Sequence, residues 1–139
     1  MKESGFQFVQ PYLNELDFKV NNQYNVDVEL PHTIEMHNNL SVRIGRYANK
    51  SGALVTLILE VNKDSDNAPF QITASISSSF EWKSIDDEKI ERMLRVNAPA
   101  VLLSYLRPIV AQITNSSQFP AYNIPLFNFV DQEVAFKYD

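Results

Sequence analysis

Hydrophobic and polar positions alternate over four stretches in the first 82 residues, the period of two that indicates strands with one buried face. The clearest stretch is 70–82, whose apolar positions are Phe70, Ile72, Ala74, Ile76, Phe80 and Trp82. The first stretch, 6–20, places on one parity Phe6, Phe8, Tyr12, Leu16, Phe18 and Val20. Pro11 interrupts it, which predicts an edge strand or a bulge because proline cannot donate a ladder hydrogen bond.

The two middle strands are predicted at 40–48 and 53–62, joined as a hairpin by the turn residues 49–52. Strand 53–62 carries apolar residues on both faces, since Leu54 and Ile58 lie on the face opposite its main apolar residues. We therefore expect it to be central and covered on both sides. Residues 20–38 are predicted as a long connection that contains an extended segment. The serine- and threonine-rich face of 70–82 is either solvated or a sheet-to-sheet contact between subunits.

Helical spacing begins after the acidic residues 86–88, which favour a helix N-terminus. Asn97-Ala98-Pro99 predicts the end of that helix and the start of a longer one. The longer helix is hydrophobic nearly all round, so its second face is expected to pack on another subunit. Pro108 inside it predicts a kink. The fold class is therefore α+β, a four-stranded antiparallel sheet followed by a long helix and a short C-terminal helix, in a single domain over 1–139.

Composition narrows the function classes. The net charge is −5, so nucleic-acid binding has no electrostatic support. Without cysteines, the chain has no disulfide, thiol catalysis or thiolate metal site. Residues 1–5 lead directly into the first strand with no apolar signal region, which predicts a cytoplasmic protein. The apolar stretch 96–130 is interrupted by polar residues and prolines, so no membrane insertion is expected.

Catalytic chemistry is not indicated. Only three glycines occur, at 5, 45 and 52, so no phosphate-binding loop can be written. His32 and His37 satisfy no metal-ligand spacing and are interpreted as exposed loop residues. The acidic residues 86–88 are explained by the helix start. We therefore predict no enzyme activity, no cofactor and no metal.

A family resemblance rests mainly on the C-terminal third. Pro99, Tyr105 and Arg107 in the helix, then Phe119-Pro120, Asn123 and Asn128-Phe129, resemble at the same spacing the pattern of the SecB export chaperone family. Phe6-Gln7 and Phe18 look like that family's first strand, and Phe70 with Phe80 looks like its fourth. The likeness covers roughly 6–130, with 20–40 apparently longer in this chain.

The resemblance implies an ATP-independent holdase that binds unfolded or precursor polypeptides in an apolar groove and assembles as a homodimer or dimer of dimers. Carried onto this chain, the peptide-binding residues are Leu40, Val42, Ile44, Phe119, Tyr122, Ile124, Pro125, Phe127 and Phe129. Phe127 and Phe129 are expected to start the last helix. Aromatic residues crowded into a loop agree with this, because exposed apolar clusters are often binding sites. The alternative is that they only pin the loop onto the sheet.

The acidic surface by which the family docks on the SecA motor is poorly kept. Glu15 retains an acid, whereas Lys19 reverses one, and Gln71 and Thr73 replace an apolar residue and an acid. A divergent member could instead serve a single client, such as an antitoxin. Outside the chaperone class, a non-chaperone oligomeric scaffold with a closed groove and an enzyme or small-molecule carrier remain open alternatives.

Overall fold

A six-stranded sheet forms the larger layer of the computed structural model, which describes residues 2–24, 35–130 and 134–139. The strands are β1 (Phe6–Phe8), β2 (Tyr12–Val20), β3 (Asn38–Arg46), β4 (Gly52–Val61), β5 (Phe70–Trp82) and β6 (Ala135–Tyr138). β1 and β2 both pair with β5, which is followed across the sheet by β4, β3 and β6. Every pairing is antiparallel except that of β3 with β6, which is parallel.

The first predicted stretch forms two strands separated at Pro11, which lies buried at the edge of the sheet as its missing donor requires. The register shifts between Leu13 and Glu15. Leu13 therefore lies opposite Ile76 on the core face, and Tyr12 lies opposite Ser77 on the outer face. The predicted parity was wrong for Tyr12 because a bulge inserts one residue and exchanges the two faces.

β4 is central, between β3 and β5, as predicted. Its inner face is fully buried at Val55, Leu57 and Leu59. Its outer face is only partly covered, because Leu54 keeps 36% of its surface exposed. The outer face of the sheet is therefore an open, mostly polar surface in the single chain.

The helical layer consists of α1 (Asp87–Arg92), a π-helical turn (Met93–Asn97) and α2 (Ala98–Asn115). These form one continuous helix of 29 residues, so the predicted break at Asn97-Ala98-Pro99 was wrong. The π-helical turn keeps the helix continuous at this point, because the Ala98 N–H donates to the Met93 carbonyl five residues back. Pro99 then occupies the first turn of α2, where its missing N–H matters least. Asp86 caps the start by accepting from the Lys89 N–H at 3.1 Å.

One face of this helix covers the inner face of the sheet. Its fully buried apolar side chains are Ile90, Leu94, Ala98, Leu102, Leu106 and Val110. Tyr105 lies at the flank of this buried face, where it is 42% exposed and its ring contacts that of Phe8 in β1. Residues 87–115 are long and apolar enough to cross a membrane by length and composition, a test that the core helix of a soluble protein also passes. Pro108 lies inside α2, and its kink stays a prediction.

The α+β class with a sheet and one long helix is confirmed, whereas two details differ. The sheet has six strands, because the first stretch is split and β6 is added. The predicted short C-terminal helix is not formed in 116–130 or 134–139, where Phe127 and Phe129 lie in irregular backbone. Ala135–Tyr138 instead pairs with β3, because an extended segment can complete the sheet's edge ladder. The predicted extended segment near 26–30 and His32 lie outside the described residues.

Candidate polypeptide-binding surface

The segment that follows α2 is fixed at its start by a buried hydroxyl. The Thr114 hydroxyl donates to the Val110 carbonyl at 2.8 Å and accepts from the Tyr122 N–H at 2.7 Å. Ser117 assists by accepting from the Phe119 N–H at 3.1 Å. These bonds fold the segment back over the helix end. As a result, the Phe119 ring lies among aromatic rings, 6.5 Å from Phe70 and 5.8 Å from Tyr24.

The middle of the same segment is tied to α2 by Arg107. Its Nε donates to the Ile124 carbonyl at 2.7 Å, and the Ile124 side chain is completely buried. Hydrogen bonds to a charged donor are among the stronger ones in proteins. Two independent ties, at Thr114 and at Arg107, therefore give residues 119–124 a fixed path and place the following residues at the surface.

Tyr122 bridges this segment and the sheet. Its hydroxyl donates to the Asn38 side-chain oxygen at 2.8 Å, at the start of β3, and its ring centroid lies 6.2 Å from that of Phe70. Partial burial raises the pKa of the Tyr122 phenol above its ordinary value of 10.0. The ring is half-buried, so one side remains available at the surface.

The nine residues predicted to bind peptide fall into two groups. Six are buried within their own chain: Leu40, Val42, Ile44, Phe119, Ile124 and Phe129. Tyr122 and Phe127 are half-buried and Pro125 is exposed. Any client that contacts the chain as described would therefore meet Tyr122, Pro125 and Phe127.

The β3 residues of the buried group lie on the face that the helix covers. Leu40, Val42 and Ile44 pair with Leu59, Leu57 and Val55 in register, and all six side chains are core. Their alternation in the sequence was itself a sign of a core face. Burial of such side chains contributes about 1.5–3 kcal/mol each, so exposing them to a client would oppose folding.

Two residues absent from the predicted set carry the largest exposed apolar surface of this region. Leu126 is 80% exposed and Val130 is 63% exposed. Within 125–130, the apolar side chains of Pro125, Leu126 and Val130 are therefore exposed and that of Phe127 is half-buried. Periodicity gave no signal for them because the segment is irregular.

A cavity of about 770 Å³ adjoins this run, between the helix and β6. Its walls combine apolar and charged side chains: Glu88, Glu91, Arg92, Arg95, Val96, Phe129, Val130, Val134 and Phe136. Arg95 lies over the Phe136 ring with 4.6 Å between the guanidinium carbon and the ring centroid. The space is thus lined by both apolar and charged side chains.

The outer face of the sheet contains the residues compared above with an acidic docking surface. Glu15 lies opposite Ser75, and Lys19 lies opposite Gln71. The register also brings in Glu60, which sequence reasoning missed, because Asp17, Thr73 and Glu60 form one row across three strands. Glu60 is paired with Lys63 at 2.9 Å. The row therefore has little net charge. Only the strand register could have shown that Glu60 joins this row, and the pattern of a single strand does not give the register.

No group of His, Asp and Glu residues that could bind a metal ion occurs within 2–24, 35–130 and 134–139. His37 is exposed, and the acidic residues 86–88 form the helix start as predicted.

The layers and the exposed segment define a class of protein: an antiparallel sheet covered on one face by one long helix, with an apolar loop beyond it. The sequence model of the SecB family, "Preprotein translocase subunit SecB", matches residues 1–132. The chain belongs to the SecB family.

Individual relatives agree. The chain is 25% identical over 129 residues to the protein-export protein SecB of Verminephrobacter eiseniae, covering 89% of this chain and 81% of that one. It is 27% identical over 128 residues to that of Janthinobacterium sp., covering 89% and 75%. The match to that of Anaplasma phagocytophilum, 28% over 85 residues, spans 57% of this chain and 54% of the relative.

A solved structure shares the fold. The Mycobacterium tuberculosis SecB-like chaperone, in complex with a ChAD peptide from an antitoxin, superposes with a TM-score of 0.66. The alignment covers 88% of each chain at 12% sequence identity. At that identity the likeness shows the fold, and client binding must be argued from this chain's own residues.

Proposed function

We propose that this protein is an ATP-independent holdase, a chaperone that binds unfolded or precursor polypeptides. The observation that carries the proposal is the group of exposed apolar side chains within 125–130, directly after a segment whose backbone is held at Tyr122 by Thr114 and at Ile124 by Arg107, in a member of the SecB family. A fixed apolar surface binds without first ordering itself, which lowers the entropic cost of association. Because apolar contact makes little demand on sequence, such a surface accepts many clients.

The contact residues proposed are Tyr122, Pro125, Leu126 and Phe127, with Val130 at the end of the run. Their side chains are half-buried or exposed, unlike those of the six buried residues. Backbone groups in this irregular segment can also pair with an extended client. The remaining predicted residues, including Leu40, Val42 and Ile44, would support the surface from beneath.

The test is suppression of aggregation of a chemically unfolded client at near-equal molar ratio, without nucleotide. Tyr122→Ala/Phe127→Ala and Leu126→Ser are expected to lower the suppression several-fold while circular dichroism stays unchanged. Leu54→Ser, which alters a partly exposed apolar residue on the outer face, is the matched control. A lack of effect by the unmodified protein at several-fold excess would exclude the holdase.

A dedicated chaperone is the second candidate. The fold neighbour from Mycobacterium tuberculosis is in complex with a peptide from an antitoxin, which favours a single-client role as the alternative. Polypeptides co-purified from a lysate distinguish the two, with the Tyr122→Ala/Phe127→Ala variant as the control. Many unrelated precursors indicate general export, and one protein indicates a dedicated role. If none is enriched and an apolar dye fails to bind, a non-chaperone scaffold is favoured.

We further propose a homodimer or dimer of dimers in the cytoplasm. The flank of α2 beside β1 leaves Tyr105 exposed, in edge-to-face contact with Phe8, which is 37% exposed. This apolar surface continues along the open sheet edge. Docking on the SecA motor is expected to be weak. Glu15 and Lys19 carry opposite charges on the same face of β2, and Glu60 is paired with Lys63, so charge complementarity is small.

A further inference from the structure

β6 pairs with the outer edge of β3 through backbone hydrogen bonds. Ala135–Tyr138 aligns in parallel with Ser41–Ile44, and the Asp139 N–H then donates to the Ile44 carbonyl at 3.0 Å. Strand addition of this kind uses main-chain groups that every extended polypeptide carries. The β3 edge is thus already shaped to receive a short extended segment.

Three side-chain contacts give β6 its specificity. The Phe136 ring lies under the Arg95 guanidinium, and the Tyr138 hydroxyl donates to Glu91 at 2.9 Å. Asp139 pairs with Arg43 at 3.2 Å. The occupied site therefore recognises an aromatic residue, a second aromatic residue two positions later, and an acidic residue directly after it.

The attachment of β6 is slight compared with that of the other strands. The ladder is four residues long, whereas β3 pairs with β4 over nine positions. Ala135, Lys137, Tyr138 and Asp139 are exposed, and the ion pair of Asp139 is about half exposed on both sides, where water screens it. Losing β6 would leave the β3–β4 ladder intact.

The cavity between the helix and β6 extends this site sideways. Arg92, Arg95 and Val96 line it from the helix, and Val134 and Phe136 line it from the strand. Side chains on the Phe136 and Tyr138 face of an added strand are directed toward the helix. A longer client segment could therefore place its apolar groups in that space and its acidic groups beside Arg92 and Arg95.

We propose that the β3 edge is a strand-addition site for extended client segments and that β6 is its intramolecular occupant. The partner is a polypeptide with two aromatic residues at alternate positions followed by an acidic residue, as in Phe136-Lys137-Tyr138-Asp139. The inference rests on the proposed polypeptide-binding function and names a second client surface with its own regulation. Because β6 competes with the client, the apparent affinity falls by the fraction of molecules in which the edge is free.

The test uses a reversible clamp on β6. Ser41 and Ala135 are register partners, and the chain has no cysteine of its own, so Ser41→Cys/Ala135→Cys creates a single removable crosslink. The probe is a fluorescent synthetic peptide with the sequence of residues 134–139. Binding is expected in the reduced form and at least tenfold weaker in the oxidised form. A peptide with both aromatic residues replaced by alanine should not bind. Equal binding in the two forms, or none in the reduced form, overturns the proposal.

A second variant tests the proposal without a crosslink, in case the disulfide between positions 41 and 135 distorts the fold. Phe136→Ala removes the ring beneath Arg95 and should raise the affinity for the probe peptide several-fold, since it frees the edge. Ala135→Ser, which leaves both aromatic contacts in place, is the matched control. If β6 served only to complete the sheet, Phe136→Ala would not raise peptide binding, and that result would overturn the proposal.

Aggregation suppression distinguishes a failure of the strand-addition proposal from a failure of the holdase proposal. Suppression by both forms of the clamped protein to the same extent would contradict the strand-addition site and leave the holdase intact. Suppression by neither form would contradict the holdase, whereas binding of the probe peptide by the reduced form would still establish the edge as a peptide site.

Discussion

The two edges of the sheet are finished in opposite ways. At one edge, β2 and the link that joins it to β1 present exposed apolar side chains, with Val9 54%, Tyr12 51% and Leu13 39% exposed. At the other edge, β6 covers β3 with its own ladder and charged contacts. Open edges invite pairing with further chains, and proteins usually cover or charge them. The difference agrees with the two proposals made above: assembly with a second copy at the apolar edge, and strand exchange at the covered edge.

The largest expected effect tests the packing beneath the open edge. Phe80 is fully buried and its ring lies 5.4 Å from that of Phe6 and 5.8 Å from that of Phe8. Phe80→Ala should lower the free energy of unfolding by about 3–5 kcal/mol because it leaves a cavity under both β1 rings. Urea denaturation followed by circular dichroism measures this. Phe80→Leu is the control and should cost clearly less, and equal losses would show that the rings do not depend on Phe80's shape.

Assembly through the open edge is the next prediction. Val9→Lys/Tyr12→Lys places two like charges on that edge and should weaken self-association at least tenfold, or about 1.4 kcal/mol. Sedimentation equilibrium at micromolar concentration gives the change. Ala135→Lys adds a charge at the covered edge and should leave assembly as it was. A stable monomer of the unmodified protein would contradict the assignment of the open edge to a second copy.

A smaller effect is expected at the covered edge. Tyr138→Phe removes the hydrogen bond to Glu91, an exposed interaction, and should cost at most about 1 kcal/mol of global stability. Amide hydrogen exchange in β6 should nevertheless accelerate, since local opening depends on few contacts. Tyr105→Phe serves as the comparison. Unchanged exchange in β6 would mean that its backbone ladder alone sets its stability.

The smallest effect concerns alkaline pH. Burial and the neighbouring Glu91 carboxylate raise the pKa of Tyr138 above its ordinary value of 10.0. The folded state therefore retains the proton more strongly than the unfolded state. The contribution of Tyr138 to the free energy of unfolding is complete below pH 10.0. It is lost as the pH rises through the higher pKa of Tyr138 in the folded state. A spectroscopic titration of the phenol, compared with Tyr138→Phe, should show a midpoint above 10.0, and a midpoint below it would refute the contact.

Much of the fold could be predicted because alternation reports which face is buried. β5 and the central place of β4 followed directly from that pattern. Tyr12 could not be placed, since a bulge changes the face without changing residue types. The sequence predicted two helices where the structure has one. Pro99 in the first turn of α2 is compatible with a continuous helix because a π-helical turn precedes it.

Peptide binding by the predicted residues stays a prediction, and the sequence indicated the exposure of only some of them. The aromatic loop after α2 was placed correctly, but Phe119 and Phe129 are buried whereas Leu126 is exposed. Which side chains turn outward depends on the ties from Thr114 and Arg107, which join positions 8 and 17 residues apart. Sequence alone does not specify such contacts. β6 was also missed, because a four-residue strand is too short for a periodic signal.

The π-helical turn at Met93–Asn97 acts as a spacer that sets the rotational phase of the helix. An added residue in a helix rotates everything before it by about 100° relative to everything after it. Deleting one residue from 93–97 would therefore swing the preceding turns away from the sheet, separating Glu91 from Arg46 and Tyr138 at once. The length of this turn, rather than its composition, thus links the helix's first two turns with the strand that closes the sheet.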